Sequence, residues 1–431
     1  MNQLAKETGF TERKSRLNGS LFLDLLDFNS ENLKSQSLND LSIILKDKHG
    51  VEIKKQSLHE RFNANALHFL KGALEKMLQK QLAFKRFPGL ERFKRILVKD
   101  STCFQIDPSL ALNFPGSGGS GSKAAIRIQF EYDLLSGRIN DLSINPFNQQ
   151  DAKNSITTME LTNEGDLIIR DLAYMSIKAL TGIIKRNAYY LCRANPSVKI
   201  YEKIDGVDKE MNFRTLRKHM NKNGISSMEK KVYLGAEKFK TRLIVYLMPE
   251  REVEKRLRNA YKINKKKGRK NLPTKEYLAR AHFNLFITNA SKDQISTKMV
   301  WPVYTLRWQI ELIFKIWKTI CGIEKVKKVQ KNRLECYLYA KLILIVLGWR
   351  IIWKTAQNLF RMENKSLSYY KAFKTLLWEK LYDMRRVFLL EKNNMKELMN
   401  HFYNISKTNH LLEKKQQKER SFDILLSFAT I

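Results

Sequence analysis

Two short apolar runs, each delivering an aspartate, frame the stretch from Arg95 to Leu180 and narrow the folds open to this chain. Ile96, Leu97 and Val98 predict a buried strand that ends at Asp100, and Leu167, Ile168 and Ile169 predict another that ends at Asp171, before a helix beginning near Ser176. Between them lie two further strands, AAIRIQFEYDL and, past the Ser136-Gly137 turn, RINDLSI, and then a connecting helix from Asp151 to Met159. Strands interleaved with a helix place the chain in the α/β class (α+β overall), where ligands sit at the ends of strands. An Asp followed by Ser and Thr also simply begins turns. Glu131, Asp133 and Asp166 are further carboxylates, none of them so well placed at a strand end. The glycine-rich PGSGGSGS stretch has Gly116 and Gly121 at phosphate-loop spacing, but Ser122 stands where the lysine must be, so it reads as a strand connection.

Charge says what such a core meets. Lys and Arg number 79 against 43 Asp and Glu, a net charge of +36 over 431 residues, a length sufficient for about three domains. A protein this basic usually meets a polyanion, most often nucleic acid. No membrane is expected, because the longest wholly apolar run, Leu342 to Trp349, is closed by Lys341 and Arg350 and falls far short of a span. MNQLAKETGFTERK lacks an apolar core of a secretory leader, so a cytoplasmic, nucleoid-associated protein is expected. Cys103, Cys192, Cys321 and Cys336 form no CxxC pair and the seven histidines no HExxH, which points to reduced structural thiols and no zinc site.

The organisation expected along the chain is a helical domain over 1–90, a core in two parts over 91–184 and 283–356, an insertion over 185–282, and a helical region over 357–431. In the first, SLNDLSIILKDKHG has Ser37 as N-cap and Gly50 as stop, and a second helical piece, KKQSLHERFN, offers Lys54, Lys55, Gln56, His59, Arg61 and Asn63 to an outer face. That is the layout of a helix-turn-helix DNA reader, or of a small bundle serving as a lid. The insertion reads as the strands AYYLCRA, VKIYEKI, KKVYLGAEKF and TRLIVYLM, then a basic helix ending in Lys265, Lys266, Lys267, Arg269 and Lys270. Charge runs are usually solvated faces; in so basic a chain this one is expected to contact DNA phosphates. Glu335 to Thr355 reads as an apolar core helix.

One stretch constrains the chemistry more than any other. Read as a helix, YTLRWQIELIFKIWK puts Tyr304, Arg307, Glu311, Lys315 and Lys318 on one face and Leu306, Ile310, Ile313, Trp317 and Ile320 on the opposite one. A single carboxylate among an arginine, two lysines and a tyrosine suits a metal-binding acid beside a phosphodiester; a plain amphipathic helix with Glu311 paired to Lys315 or Lys318 is the alternative. The spacing Tyr-(2)-Arg-(3)-Glu-(6)-Lys, with no gap or substitution, resembles the signature of bacterial insertion-sequence DDE transposases.

That resemblance extends to the DST triplet at Asp100 and to DLAY at Asp171, where the family more often has glycine in the position of Ala173. It implies a ribonuclease H-like mixed sheet core with a helical N-terminal domain, a β-rich insertion and a helical C-terminal region. It further implies that Asp100, Asp171 and Glu311 are the catalytic residues and the ligands of two Mg²⁺ ions, with Mn²⁺ able to substitute. The implied activity is cut-and-paste transposition on double-stranded DNA with terminal inverted repeats and on target DNA, by a homodimer in the synaptic complex. Tyr304, Arg307, Lys315 and Lys318 would face the DNA, and Trp308 would stack on a displaced base or, alternatively, pack half-buried. A stand-alone nuclease and a non-catalytic repressor with the same core are the competing readings.

Overall fold

The computed structural model describes residues 1–12, 15–29, 32–79, 92–117, 123–174, 176–266, 274–389 and 395–413. The chain forms two compact units, and within the described residues it passes between them inside a strand, at Asp100/Ser101, then at Gln149/Gln150 and at Trp308/Gln309. Of the described residues, one unit gathers those in 1–79, 101–149 and 309–413, and the other those in 92–100 and 150–308.

The first unit opens with five helices: α1 (Asn2–Glu7), α2 (Gly19–Asp27), α3 (Leu38–His49), α4 (Lys55–Glu60) and α5 (Ala64–Gln79). As expected, α3 is bounded by a capping box between Ser37 and Asp40 and by Gly50 in the left-handed region. The outer face expected of the next helix is smaller than its sequence suggested. Lys54, Lys55, Gln56, His59 and Asn63 are exposed, the last also capping α5 through Ala66 N, but the Arg61 guanidinium lies 4.1 Å over the Phe10 ring.

The same unit holds the outer half of β1 (Arg95–Gln105), β2 (Ala125–Asp133) and β3 (Ile139–Pro146), the last two antiparallel. Gly137 makes the β2–β3 turn with φ +70°, and a Cβ there would lie 2.3 Å from Trp353. Its carbonyl accepts the indole N–H of Trp349 at 2.8 Å, so the turn is pinned to the helical layer as well as bent by glycine.

In the second unit the sheet runs in the order β1, β4 (Asp166–Arg170), β5 (Tyr189–Arg193), β10 (Phe283–Thr288), β9 (Phe239–Leu247), β8 (Ser227–Leu234), β6 (Ile200–Ile204), β7 (Val207–Glu210). Strands β1, β4 and β5 are parallel, and the others are antiparallel. Tyr189–Arg193, expected as the first strand of the insertion, thus lies beside β4, and the inserted strands continue the same sheet from β10. Helices α6 (Asp151–Thr157) and α7 (Ile177–Lys185), the latter capped by Ser176, pack on one face, burying Ile168, Tyr190 and Cys192 against Ala179, Leu180 and Ile183. The polar stretch from Asp205 to Lys231 contains, besides β7 and the start of β8, helix α8 (Phe213–Lys222), which its sequence had not disclosed. Helices α9 (Glu250–Lys266), α10 (Lys275–Arg280) and α11 (Val300–Thr305) complete this unit.

Helix α12 (Trp308–Thr319) enters the first unit, followed by α13 (Lys331–Glu363), α14 (Tyr369–Lys374), α15 (Leu381–Leu389) and α16 (Met395–Asn409). Helix α13 is the expected core helix grown to 33 residues: its most apolar window is 94% buried inside the protein, against α5, α2 and α16. On α12, Phe314 and Trp317 pack edge-on against Phe130 of β2, with ring centroids 6.2 and 4.9 Å away.

Candidate active site

Strand periodicity explains how the two aspartates are aimed. The β1–β4 register ends with Lys99 opposite Arg170, and both of these cations turn toward α6: Lys99 Nζ donates to Thr158 Oγ1 at 2.9 Å and Arg170 Nη1 to Ser155 Oγ at 2.5 Å. Side chains alternate along a strand, so Asp100 and Asp171, one residue further on, belong to the opposite face and stand next to each other in register. Asp171 does end its strand, as expected. Asp100 does not: β1 runs five residues further, to Gln105, because β2 lies along its other edge. What stops at Asp100 is the pairing with β4.

The face carrying both aspartates is covered by α11. Tyr304 Oη donates to Asp171 Oδ1 at 3.2 Å, and Arg307 Nη1 donates to Asp100 Oδ2 at 2.8 Å. Both donors are buried, Tyr304 at 5% exposure and Arg307 at 6%. Burial first, and then the Asp171 carboxylate, push the Tyr304 phenol well above its ordinary value, so it stays protonated as a donor. The helix is itself anchored. Trp301 N donates to Tyr246 Oη at 3.0 Å, Tyr246 Oη donates to the Thr297 carbonyl, and the Tyr304 ring lies 5.0 Å from Phe286.

This burial corrects the single helix expected from Tyr304 to Lys318. Helix α11 stops at Thr305, the amides of Leu306 and Arg307 bond three residues back, to Val303 and Tyr304, and α12 starts at Trp308. The tightened turn gives Tyr304 and Arg307 to the aspartates instead of to an exposed polar stripe. Beyond it the expected faces hold. Ile310, Ile313, Trp317 and Ile320 are buried, Glu311 and Lys315 are exposed, and Lys318 Nζ donates to the Cys103 carbonyl at 3.2 Å. Trp308 is 57% exposed, not half-buried packing. Glu311 belongs to the first unit and the two aspartates to the second. Among the described residues no three His, Cys, Asp or Glu side chains form a ready-made metal cage.

The other acids are consumed by structure. Asp166 is held by Arg95 Nε and Nη2 at 2.9 and 2.6 Å, Glu131 by Asn140 at 2.7 Å, and Asp133 caps its own turn through Leu135 N and Ser136 Oγ. Asp100 and Asp171, each held by a donor from one side, are the two that share a face of the sheet next to each other, a hard-oxygen pair suited to a divalent cation. Of the basic residues expected to touch DNA, Lys265 is exposed on α9 and Lys266 ends that helix, while Lys267, Arg269 and Lys270 lie outside the described residues. One residue escaped sequence reasoning. The β4–β5 register ends with Arg170 opposite Cys192, which puts Arg193 next in line with Asp171. Its side chain is exposed and makes no hydrogen bond or ion pair among the described residues. Its signal was the position after a strand, visible only once AYYLCRA is placed beside β4.

Residues 91–347 match the family model for the transposase DDE domain. The chain belongs to the DDE transposases. It is 31% identical to the transposase for insertion sequence element IS231B of Bacillus thuringiensis subsp. berliner, over 86% of this chain and 81% of that one. It is 29% identical to the IS231F transposase of Bacillus thuringiensis subsp. israelensis, over 99% and 92%, and to the IS1151 transposase of Clostridium perfringens, over 88% and 83%. A solved piggyBac transposase synaptic complex with hairpin DNA aligns at a TM-score of 0.42 and 12% identity, covering 97% of this chain and 84% of that one. The protein is thus a bacterial insertion-sequence transposase, an enzyme that cleaves DNA with divalent metal and binds DNA ends.

Proposed function

We propose that this transposase moves its element by cut-and-paste: it nicks at terminal inverted repeats and joins the freed 3′ hydroxyl to target DNA, as a homodimer acting at the nucleoid of the bacterial cytoplasm. In this reading Asp100, Asp171 and Glu311 form the catalytic triad and hold two Mg²⁺ ions, which Mn²⁺ can replace. When bound, such ions supply Lewis-acid polarisation of the scissile phosphate and an activated attacking oxygen.

The observation that carries the reading is the doubly anchored aspartate pair, with Tyr304 on Asp171 and Arg307 on Asp100. Two carboxylates side by side repel, and a fixed cation and a fixed hydroxyl hold them in place at little reorganisation cost. Arg307 also offsets charge that builds on the phosphate, and Glu311 follows it by four residues in the uninterrupted family signature. Lys315 and Lys318 clamp the DNA backbone, the exposed Trp308 stacks on a base displaced from the element end, and Lys265, Lys266, Lys267, Arg269 and Lys270 reach flanking phosphates.

The test is incubation with linear DNA carrying matched inverted repeats and Mg²⁺. Excision followed by joining is the expected outcome; indiscriminate degradation would mean a nuclease, and a retarded but uncut band a repressor. Asp100→Ala, Asp171→Ala and Glu311→Ala should each abolish cleavage while end binding persists in a mobility-shift assay. Full cleavage by any one of them removes that residue from the triad. Chelation should stop cleavage and leave binding, with Mg²⁺ or Mn²⁺ restoring activity.

A further inference from the structure

In the same unit as the aspartate pair, a cavity of about 140 Å³ is lined by Arg193, Arg256, Tyr277 and Arg280 around an apolar floor that includes Phe283 and Leu285. Two of its arginines are built in. Arg256 donates from Nη1 to the carbonyls of Ala281 and Phe283 at 3.2 and 2.9 Å, and from Nη2 to Asn284 Oδ1. Arg280 donates to the carbonyls of Pro196, Val198 and Asn195 at 2.9, 3.4 and 3.2 Å and lies 5.0 Å over the Phe213 ring. Neither makes an ion pair with a carboxylate among the described residues. Both are half-buried, and desolvation lowers both guanidinium pKa values from the ordinary one. Arg193, equally without a carboxylate, stands at the mouth.

Three guanidinium groups around one hollow, with Glu252, Glu276 and Glu210 within electrostatic reach but none in ion-pair contact among the described residues, make a site that an anion would stabilise, because carbonyl partners satisfy N–H groups without cancelling charge. The hollow has room for a few waters, at about 30 Å³ each, and so for one phosphate-sized anion and some hydration. Arg193 links it to the reaction centre. It is next in register to Asp171 on the adjoining strand, about 4.8 Å across the sheet. It also lies close enough to Tyr304 to oppose the upward shift of that phenol.

We propose that this arginine cleft is a phosphodiester site, seating a backbone phosphate of the same DNA strand next to the one cleaved. The proposal rests on the transposase reading above and names a contact within it. A phosphate held by Arg193, Arg256 and Arg280 fixes the strand's register against Asp171, so that the bond presented to the carboxylates is the one at the element end.

Arg256 and Arg280 knit loops together and their loss could unfold the unit, so the decisive variant is Arg193→Gln, whose side chain has no partner to lose. Binding of the full-length protein to a duplex ending in its own terminal repeat is measured without divalent metal, which keeps the assay independent of cleavage. In Arg193→Gln the slope of log K against log salt should be shallower by about 0.9, the value for one duplex phosphate contact. Neutral methylphosphonates placed singly around the nick should weaken wild-type binding at one adjoining position, and Arg193→Gln should be insensitive at that position only. An unchanged slope, or equal sensitivity of both proteins at every position, overturns the proposal even if the triad variants behave as expected. Protection of the wild type but not of Arg193→Gln by inorganic phosphate in thermal unfolding, with methylphosphonates silent, would assign the cleft to a free anion and also overturn it.

Discussion

At the scale of single residues, the site is a matter of which acids are already spent. Asp166, Glu131 and Asp133 are engaged by Arg95, Asn140 and a turn, whereas Asp100 and Asp171 meet their partners from one short helix and the turn after it. Tyr304→Phe removes one hydrogen bond to a carboxylate while keeping the buried ring, and should cost about 1.5–3 kcal/mol in denaturant unfolding. Arg307→Ala leaves Asp100 without that cation and should lower the cleavage rate roughly 10²–10³-fold, the range seen when one preorganised donor is deleted. The pH dependence carries its own sign. Tyr304 is raised in the folded protein, so above about pH 10 the unfolded chain releases a proton that the folded one keeps, and stability falls as pH rises. Other buried tyrosines, Tyr132 and Tyr190 among them, add to that fall. The difference between wild type and Tyr304→Phe isolates one residue: constant from pH 8 to about 9, it should shrink above about pH 10. A difference that grows instead would mean that the phenol ionises in the folded state.

At the scale of elements, α12 is positioned by what it buries. Trp317 is 1% exposed and lies against Phe130 on β2, so Trp317→Ala should destabilise by about 3–5 kcal/mol and carry Glu311 out of place with it. Thermal unfolding and cleavage should both register the change, and a fully active, unshifted variant would refute this account of the helix. Gly137→Ala combines a strained φ with a Cβ driven onto Trp353 and should cost roughly 1–3 kcal/mol or more. Much at this scale was legible from periodicity. The runs before Asp100 and Asp171, the cap Ser37, the helix start near Ser176, and the apolar face from Ile310 to Ile320 follow from local rules, which act within one turn or one strand. The rest depended on distant partners. The helix broken at Leu306 and Arg307 exists because two side chains reach aspartates far away in sequence, and the place of Tyr189–Arg193 beside β4 is set by pairing that no local pattern encodes. Helix α8 stayed hidden because its apolar face is only Phe213, Leu216 and Met220 among basic residues.

For the whole molecule, the excess of positive charge is a statement about partners. A net charge of +36 opposes compaction, and many of the cations lie exposed, Lys54 and Lys55 at α4 and Lys265 on α9 among them, where a polyanion neutralises them at no cost in buried structure. Bound DNA should therefore release counter-ions in proportion to the phosphates covered. If 6–10 phosphates are contacted, affinity for an element end should drop about 10³–10⁵-fold between 50 and 200 mM salt. Random duplex should share most of that slope, because backbone contacts carry no sequence information, and the gap between end and random DNA should stay nearly constant as salt rises. Lys265→Gln should then reduce the slope by about 0.9 and leave the end-to-random ratio unchanged, as expected for a contact that positions rather than specifies. Titration of both duplexes across the salt range decides the matter. A nearly flat end-binding curve would mean that the positive surface faces something other than DNA in the complex, and a ratio that collapses with Lys265→Gln would move this residue from backbone tracking to recognition of the repeat.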